Sequence, residues 1–336
     1  MTTLRTATAA ILSTLACAAA FACVDVDSLE GEDFRSTRGG GGGQDVCPTY
    51  ICGGNANRSA SFSFNVEGAL INDNKVVSSV TDPWGFPAHI VVNDSEFSIV
   101  RYAGNVELTG EMMLGTEIEF YSYESNNNAK LTLVDYDLEG VDSLLFPGVR
   151  YPTYEFEFTD ENGVTSQLCT EGDWDEGNPI PASQAIVVQN EAYDWYGQPI
   201  ANIDEMPGGS ANWVSVGCLG GAFAKKALMG YDMNIDGPNA TTREENHTMM
   251  NMLTARYCGG ESYTFTGMPV TWQNDKEWYQ PSNTEIEAMW TENGAICLNE
   301  PRLVPRGQVL AECGFIPTCD EFNPNDFELV SYHAAD

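Results

Sequence analysis

The sequence predicts an α+β fold: an antiparallel β-rich N-terminal region, followed by a disulfide-pinned domain with two helices and hairpins. Three observations support this prediction. Apolar and polar residues alternate in short runs between residues 60 and 169, a helical pattern of apolar residues ends beside a cysteine, and the cysteines left after export are even in number. The N-terminal region is expected to form a sandwich or a partly open barrel.

The β-rich region is assigned to residues 60–149. Residues 61–66 and 116–120 alternate between apolar and polar side chains, residues 154–158 continue the pattern, and turn residues such as those at 126–128 separate the runs. Alternation gives each strand one buried and one solvated face, which indicates an antiparallel sheet.

A helix followed by a hairpin is predicted over residues 247–275. Apolar residues recur there at spacings of three and four, and Gly259-Gly260 predicts the end of the helix. Strand alternation follows on both sides of a turn at Gly267. A second, shorter helix is predicted over 219–229. The apolar positions of the first helix are Met249, Met252, Leu253 and Tyr257.

Several blocks of this region resemble the ADYC domain, a family of cell-envelope proteins of social gliding bacteria named for an Ala-Asp-Tyr-Cys motif. Residues 255–260 read Ala-Arg-Tyr-Cys-Gly-Gly, and residues 289–298 read Met-Trp-Thr-Glu-Asn-Gly-Ala-Ile-Cys-Leu. Residues 218–225 and Gly230-Tyr231 also match, so the resemblance covers about 150–300. It implies a location in the cell envelope and names no activity, substrate or catalytic residue.

Two departures from the family pattern are informative. Arg256 stands where the family has the Asp of its name, which argues against an essential carboxylate at this position. Lys226 and Met249 stand where the resemblance implies two further cysteines. Losing both cysteines together is the pattern expected if they formed a disulfide that the fold does not need.

The N-terminus reads as an export signal over residues 1–22, because one arginine precedes an apolar run too short to span a bilayer. Residues 20–23 read Ala-Phe-Ala-Cys, which resembles a lipobox with Cys23 as the lipidated residue. The alternative is ordinary signal cleavage and a free secreted protein. We expect an outer-membrane or cell-surface lipoprotein, otherwise a periplasmic or extracellular protein, with a lipid anchor as its one membrane contact.

The segments at the two ends of the mature chain are polar. Residues 23–59 are rich in glycine and read as a flexible tether, or as a disordered terminus with no role if Cys23 carries no lipid. No Gly-Lys-Ser/Thr follows the glycines, which argues against a phosphate loop. Residues 301–336 are assigned to an acidic, disulfide-containing C-terminal tail, of which residues 320–336 are expected to be loosely held.

The sequence contains ten cysteines, of which Cys17 leaves with the signal and Cys23 would carry the lipid. An even set in an exported chain predicts four disulfides, and sequence alone does not choose among the possible connectivities. The nearest-neighbour hypothesis pairs Cys47 with Cys52, Cys169 with Cys218, Cys258 with Cys297, and Cys313 with Cys319. A zinc site would need paired Cys-x-x-Cys knuckles, and the sequence has none.

A calcium loop is a hypothesis for the segment after residue 231. Oxygen ligands at alternate positions followed by Gly237 open an EF-hand loop, but the closing carboxylate comes one residue late. The candidate calcium ligands are Asp232, Asn234, Asp236 and Glu244. The alternative is an Asx-rich turn that leads into a helix with Thr242 as its N-cap and Glu245 closing a capping box.

Charge restricts the partners. The chain carries 15 basic and 49 acidic residues, and removal of Arg5 with the signal leaves 14 − 49 = −35 on the mature protein. Such a charge repels nucleic acid and anionic lipid. Another protein, a glycan or a divalent ion remains as a possible ligand.

The sequence lacks the common catalytic motifs. His89, His247 and His333 lie in unrelated contexts, and neither a His-Glu-x-x-His nor a Gly-x-Ser-x-Gly segment occurs. The favoured function is a non-catalytic exported envelope lipoprotein or secreted module with a binding or structural role. The alternative is an exported hydrolase that acts on a glycan through carboxylates, with the aromatic residues around Trp195 as its platform.

Overall fold

The structure is a computed structural model. It describes residues 61–333 except 70–74, 94, 144, 147, 170–182, 195–196, 207, 265–269 and 277–284. The predicted signal, Cys23, the tether, Cys47, Cys52 and Trp195 lie outside the described residues. Within them, none of the helices combines the length and the apolar character needed to cross a bilayer.

Fifteen strands and three α-helices make up the described chain. The strands are β1 Ser61–Asn65, β2 Lys75–Thr81, β3 Ala88–Asn93, β4 Glu96–Arg101, β5 Val106–Leu108, β6 Glu117–Ser122, β7 Asn127–Asp142, β8 Arg150–Thr159, β9 Thr165–Gln167, β10 Gln184–Gln189, β11 Trp213–Cys218, β12 Thr271–Asn274, β13 Glu285–Thr291, β14 Gly294–Leu298 and β15 Leu329–His333. The helices are α1 Ala222–Leu228, α2 Arg243–Thr254 and α3 Arg306–Cys313.

The largest sheet has eight antiparallel strands in the order β1-β11-β10-β8-β7-β6-β2, with β9 paired to β8. It curls into a nearly closed barrel, which confirms the predicted antiparallel β-rich fold. Phe64 of β1 meets Phe120 of β6 across the interior, with ring centroids 5.5 Å apart. The alternation of β6 turns Ile118 and Phe120 inward, because side chains of a strand point to opposite faces in turn.

A small sheet of strands β3, β4 and β5 packs on the barrel. Its buried residues Ile90, Phe97 and Ile99 belong to the same hydrophobic core as the barrel interior. The hydroxyl of Tyr154 on β8 accepts a hydrogen bond from the backbone N–H of Phe97 at 2.8 Å. The small sheet is therefore fixed to the barrel by packing and by a buried hydrogen bond.

A second core lies between the barrel and a four-stranded sheet of order β12-β15-β13-β14. Strand β10 serves both cores: Val187 faces the barrel interior, while Ile186 and Val188 face the helices. Helices α1 and α2 fill the space together with residues such as Trp290. Because β10 is buried on both faces, the sequence at its centre is a continuous run of apolar residues.

The sheet topology departs from the expected boundaries. Strand β7 pairs with β8, so one sheet continues across the predicted junction between residues 149 and 150. The prediction of a loosely held tail is wrong, because β15 is an inner strand of the four-stranded sheet. Its residues Leu329 and Val330 are fully buried. The hairpin expected after Gly260 also differs: residues 261–264 form no strand, and β12 pairs with β15.

Three disulfides link the described cysteines. Cys169 bonds to Cys218, as predicted. The other two pairings, Cys258–Cys313 and Cys297–Cys319, show that the nearest-neighbour hypothesis is wrong there.

Strand alternation explains the corrected pairings. On β14, Leu298 faces the helices, so its neighbour Cys297 faces the opposite side of the sheet, where Cys319 lies. Cys258 follows α2 on the helical side and meets the end of α3. The Cys258–Cys313 disulfide joins residues 55 positions apart, and the chain-entropy model gives about 4 kcal/mol of stabilisation for a loop of this length.

Candidate functional site

The segment that resembles the family motif begins at the end of helix α2. The capping box expected at the start of this helix is present, with Thr242 accepting from the Glu245 N–H at 3.2 Å. Ala255 takes a left-handed conformation, with φ of 49°, and ends the helix. Tyr257 then stacks on Trp290 of β13, with ring centroids 5.2 Å apart.

The β13–β14 turn approaches the Tyr257 backbone closely. The Ala295 N–H donates to the Tyr257 carbonyl at 2.8 Å, and a Cβ on Gly294 would lie 2.5 Å from the same oxygen. Only glycine fits here, since Gly294 also has a φ of 113°. The sequence motif and the hairpin that follows it are therefore parts of one packed unit.

A buried ion pair completes this unit. Tyr257 donates from its hydroxyl to Glu287 at 2.5 Å, and Arg302 donates to both oxygens of that carboxylate at 2.8 and 2.7 Å. A further Arg302 N–H donates at 3.0 Å to the Met252 carbonyl near the end of α2. Burial raises the pKa of Glu287, but Arg302 and the hydrogen bonds from Tyr257 and Ser331 together lower it more, so the carboxyl is ionised. Burial, and then Glu287, raise the pKa of Tyr257, which keeps its proton.

A second buried ion pair joins the helices to the barrel. Lys226 of α1 donates to both oxygens of Glu191 at 2.8 and 2.7 Å, and to the Asn246 side chain of α2 at 2.6 Å. The Tyr231 carbonyl accepts a fourth bond at 2.5 Å. An ammonium group has three protons, so one of them is shared between two of these four acceptors and each proton has a partner. Both this cluster and the Tyr257 cluster are closed to solvent and serve to position elements.

The candidate calcium loop folds as the alternative turn. Asp232 is buried and accepts from the Tyr151 hydroxyl and from the Asn234 N–H, each at 2.9 Å. Asp236 and Glu244 are exposed. Within the described chain, the carboxylates of Asp232, Asp236 and Glu244 do not all come within 4.8 Å of one another. The turn and the capping box therefore account for the spacing of these residues, and calcium binding stays a prediction.

The Asp232 loop lines a cavity of about 270 Å³. Asp232, Asp236 and Tyr151 all contribute to its wall, so two carboxylates and an aromatic ring meet here. Arg150 also lines the cavity and pairs with the carboxylates of Glu139 and Asp142. Within the described residues, this cavity is therefore a candidate location for a carboxylate-dependent hydrolase.

The three histidines lie on separate elements, with His89 on β3, His247 on α2 and His333 on β15. His247 packs edge-on against Tyr193, with ring centroids 5.6 Å apart. Burial, and then the charge of Lys226, lower the pKa of His247 to about 4. Tyr193 is itself buried, so this described part of the aromatic cluster predicted at 193–196 belongs to the core.

A comparison with protein families gives one match, to the ADYC domain over residues 110–304. This segment covers more than half of the 336 residues and contains the Tyr257 and Lys226 clusters. The chain belongs to the ADYC-domain family. No curated protein and no solved structure matches it.

An exposed aromatic surface lies mostly before the ADYC match. It is formed by the turn between β2 and β3, residues 82–87, which reads Asp-Pro-Trp-Gly-Phe-Pro. Trp84 is 59% exposed and Phe86 is 49% exposed. Other exposed apolar side chains lie nearby in the chain, namely Tyr102, Val106 and Met112.

The buried side chain of Asp82 holds this turn. Its Oδ1 accepts from the Trp84 N–H at 2.9 Å and from the Phe86 N–H at 2.8 Å, while the Asp82 N–H donates to the Phe86 carbonyl at 2.9 Å. Its Oδ2 accepts from Arg101 Nε at 2.6 Å. The Arg101 guanidinium lies over both rings, 4.6 Å from Phe86 and 5.3 Å from Trp84. The two exposed rings therefore rise from a fixed backbone.

A groove of about 330 Å³ borders the turn, lined by Pro83, Trp84, Glu111, Met112 and Leu114. We call the turn 82–87 together with this groove the aromatic surface. Our reading of the sequence missed it. The available signal was a turn with proline and glycine that carries two large aromatic residues, which have no sheet face to be buried on.

Proposed function

We propose that this protein is a non-catalytic exported module, a lipoprotein or a secreted protein, that binds its partner through the aromatic surface. The observation that carries the proposal is the pairing of exposed rings with a fixed backbone. Trp84 and Phe86 are about half exposed, yet their N–H groups are both bonded to the buried Asp82. Preorganised aromatic side chains cost little entropy on binding and dominate many interfaces.

The interior of the protein supports a role in presenting a binding surface. The Tyr257 and Lys226 clusters are buried, and their charged groups are paired. The three disulfides tie the helices and sheets of the region after residue 168. Disulfides of this kind persist in oxidising compartments, which favours export through the signal at residues 1–22.

The partner at the aromatic surface is a protein or a glycan, since a divalent ion would need several oxygen ligands such as those of the Asp232 loop. The net charge of −34 makes nucleic acid and anionic lipid poor partners. Contact with the membrane would come through a lipid on Cys23. Intact mass of the mature protein tests the anchor: the added mass of acyl chains on an N-terminal Cys23 is expected, and an unmodified chain cleaved before or beyond it would contradict it.

Binding can be tested with the mature chain on a glycan array and in pull-downs from envelope extracts. Trp84→Ala should reduce capture by about tenfold, since buried aromatic anchors carry much of the binding energy at interfaces. Tyr123→Ala is the matched control, because Tyr123 is also 59% exposed and lies on the turn after β6. Equal capture by wild type and Trp84→Ala would contradict the proposal.

The second candidate is a glycan hydrolase in the cavity beside Asp232. The convergence of Asp232, Asp236 and Tyr151 favours it, although both oxygens of Asp232 already accept hydrogen bonds. Release of reducing sugar from envelope polysaccharide should be abolished by Asp236→Asn if this cavity is catalytic. Release that is absent from wild type, or unchanged in the variant, would exclude it.

A further inference from the structure

The groove of the aromatic surface combines three kinds of side chain. Trp84 contributes a ring, Met112 and Leu114 contribute apolar walls, and Glu111 contributes a carboxylate. Met112 is 49% exposed. The described lining residues include no basic side chain. A ring, an apolar wall and a carboxylate suit a ligand that carries a positive charge on a hydrocarbon stem.

The neighbouring contact illustrates the same chemistry. Arg101 already places its guanidinium 5.3 Å from the centre of the Trp84 ring. The face of an indole attracts cations through its quadrupole. The groove offers the same residue to a ligand, with Glu111 in place of Asp82 as the counter-charge. The charge of the whole chain, −34, adds long-range attraction for a cationic partner.

We propose that this groove binds a lysine or arginine side chain from a basic segment of a partner protein. The inference rests on the proposed function and deepens it. The exposed ring of Phe86 lies on the same turn as Trp84, and both rings lie against Arg101, so a residue that flanks the cation also finds an apolar contact. A neutral glycan could use the ring but would gain nothing from Glu111 as a charge.

The test is calorimetric titration of the mature protein with three probes. They are a short lysine–leucine peptide, the same peptide with every lysine acetylated, and cellohexaose. The lysine peptide should bind, with an affinity that falls as salt is added. Acetylation and Trp84→Ala should each weaken binding by about tenfold, and Glu111→Gln by about threefold, because an exposed ion pair contributes less than a ring contact. Tyr123→Ala should leave binding unchanged.

The outcomes separate this inference from the proposed function. Equal binding of the acetylated peptide, or an unchanged affinity in Glu111→Gln, would overturn the cation site. If only cellohexaose binds, and Trp84→Ala removes that binding, the aromatic surface is a glycan site and this inference fails while the proposed function stands. If Trp84→Ala changes neither these titrations nor the pull-down, both fail.

Discussion

Two regions of the molecule each contain a buried carboxylate paired with an arginine, but they differ in where their aromatic rings lie. In the Tyr257 cluster, the buried carboxylate of Glu287 pairs with Arg302; in the turn 82–87, the buried carboxylate of Asp82 pairs with Arg101. The rings of the first region point into the core, and Trp290 is fully buried. The rings of the second region, Trp84 and Phe86, are about half exposed to solvent. A carboxylate–arginine pair therefore stabilises a core in one place and presents a surface in the other.

The location of the two regions explains the difference. Glu287 lies on an inner strand of the four-stranded sheet, so its partners come from a helix end and a loop that cover it. Asp82 lies at the end of β2, an edge strand of the barrel, and its partners are in its own turn and on β4. An inner position encloses the rings, whereas an edge turn leaves them outside.

The largest effect is expected in the enclosed region. Glu287→Gln removes the charge that Arg302 needs, and breaking one half of a buried ion pair should destabilise the protein by about 4 kcal/mol. Urea unfolding measures this. Glu139→Gln is the control: its ion pair with Arg150 is exposed, and the unfolding midpoint should not move. Similar midpoints for both variants would mean that the Tyr257 cluster is not structural.

The disulfide between α2 and α3 comes next. Replacing Cys258 and Cys313 together by serine should cost about 3 kcal/mol, because the unfolded chain regains the freedom of a long loop and measured losses often fall below the chain-entropy value. Urea unfolding of the double variant gives the value. A peptide map without reductant should join Cys258 to Cys313; a peptide that joins Cys258 to Cys297 would contradict the corrected pairing.

The exposed region should respond more weakly in stability and more strongly in binding. Asp82→Asn keeps an acceptor for the turn but loses the charge facing Arg101, which should cost about 2 kcal/mol. Burial raises the pKa of Asp82, and hydrogen bonds from Phe86, Arg101 and Trp84 lower it more, so the net pKa is below its ordinary value. Ligand capture by the variant should fall along with its stability.

The pH dependence of this variant follows from the sign of the shift. A carboxyl whose folded pKa is depressed stabilises fully above its unfolded pKa, about 4, and this is lost as pH falls through the folded value. The difference between wild type and Asp82→Asn should therefore be constant at neutral pH and shrink below about pH 4. Thermal melts across this range measure it, and a difference that grows on acidification would contradict the ion pair.

The smallest effect concerns Glu328, next to β15. Its Oε1 is buried without a hydrogen-bond partner among the described residues. Burial, and then Glu245 and Asp275, raise its pKa from 4.5 to about 8. Ionisation is thus penalised only in the folded state, so stability should fall as pH rises from 4.5 towards 8. Glu328→Gln should remove this slope and gain about 1 kcal/mol at high pH, after discounting for partial exposure. Parallel slopes in both proteins would contradict it.

The sequence predicts contacts that are local. Alternation in residues 116–120 predicts a strand of the barrel, and the spacing of Thr242 and Glu245 predicts the cap of α2. The pairing of β12 with β15 was not predictable in this way, because the two strands are far apart in the chain and their order depends on the whole sheet. The Cys297 pairing could have been predicted locally. Cys297 and Leu298 are neighbours on β14, so their side chains point to opposite faces of the sheet and Cys297 points away from the helices.

The candidate site was less predictable than the fold. Asp232, Asn234 and Asp236 show the spacing of a calcium loop, yet the same spacing makes an Asx turn, and only the position of Tyr151 distinguishes which groups Asp232 meets. Trp84 and Phe86 carry no motif. Their exposure follows from Asp82, in the turn, and Arg101, on β4, so it appears only when the turn is folded.

The measurement that tests the central claim most directly is amide hydrogen exchange across the turn 82–87. The claim is that exposed rings stand on a fixed backbone, because the N–H groups of Trp84 and Phe86 are bonded to Asp82. We expect these two amides to exchange slowly in the wild type and much faster in Asp82→Ala, which removes the acceptor of both. Exchange in the wild type at the rate of an unstructured loop would contradict the account.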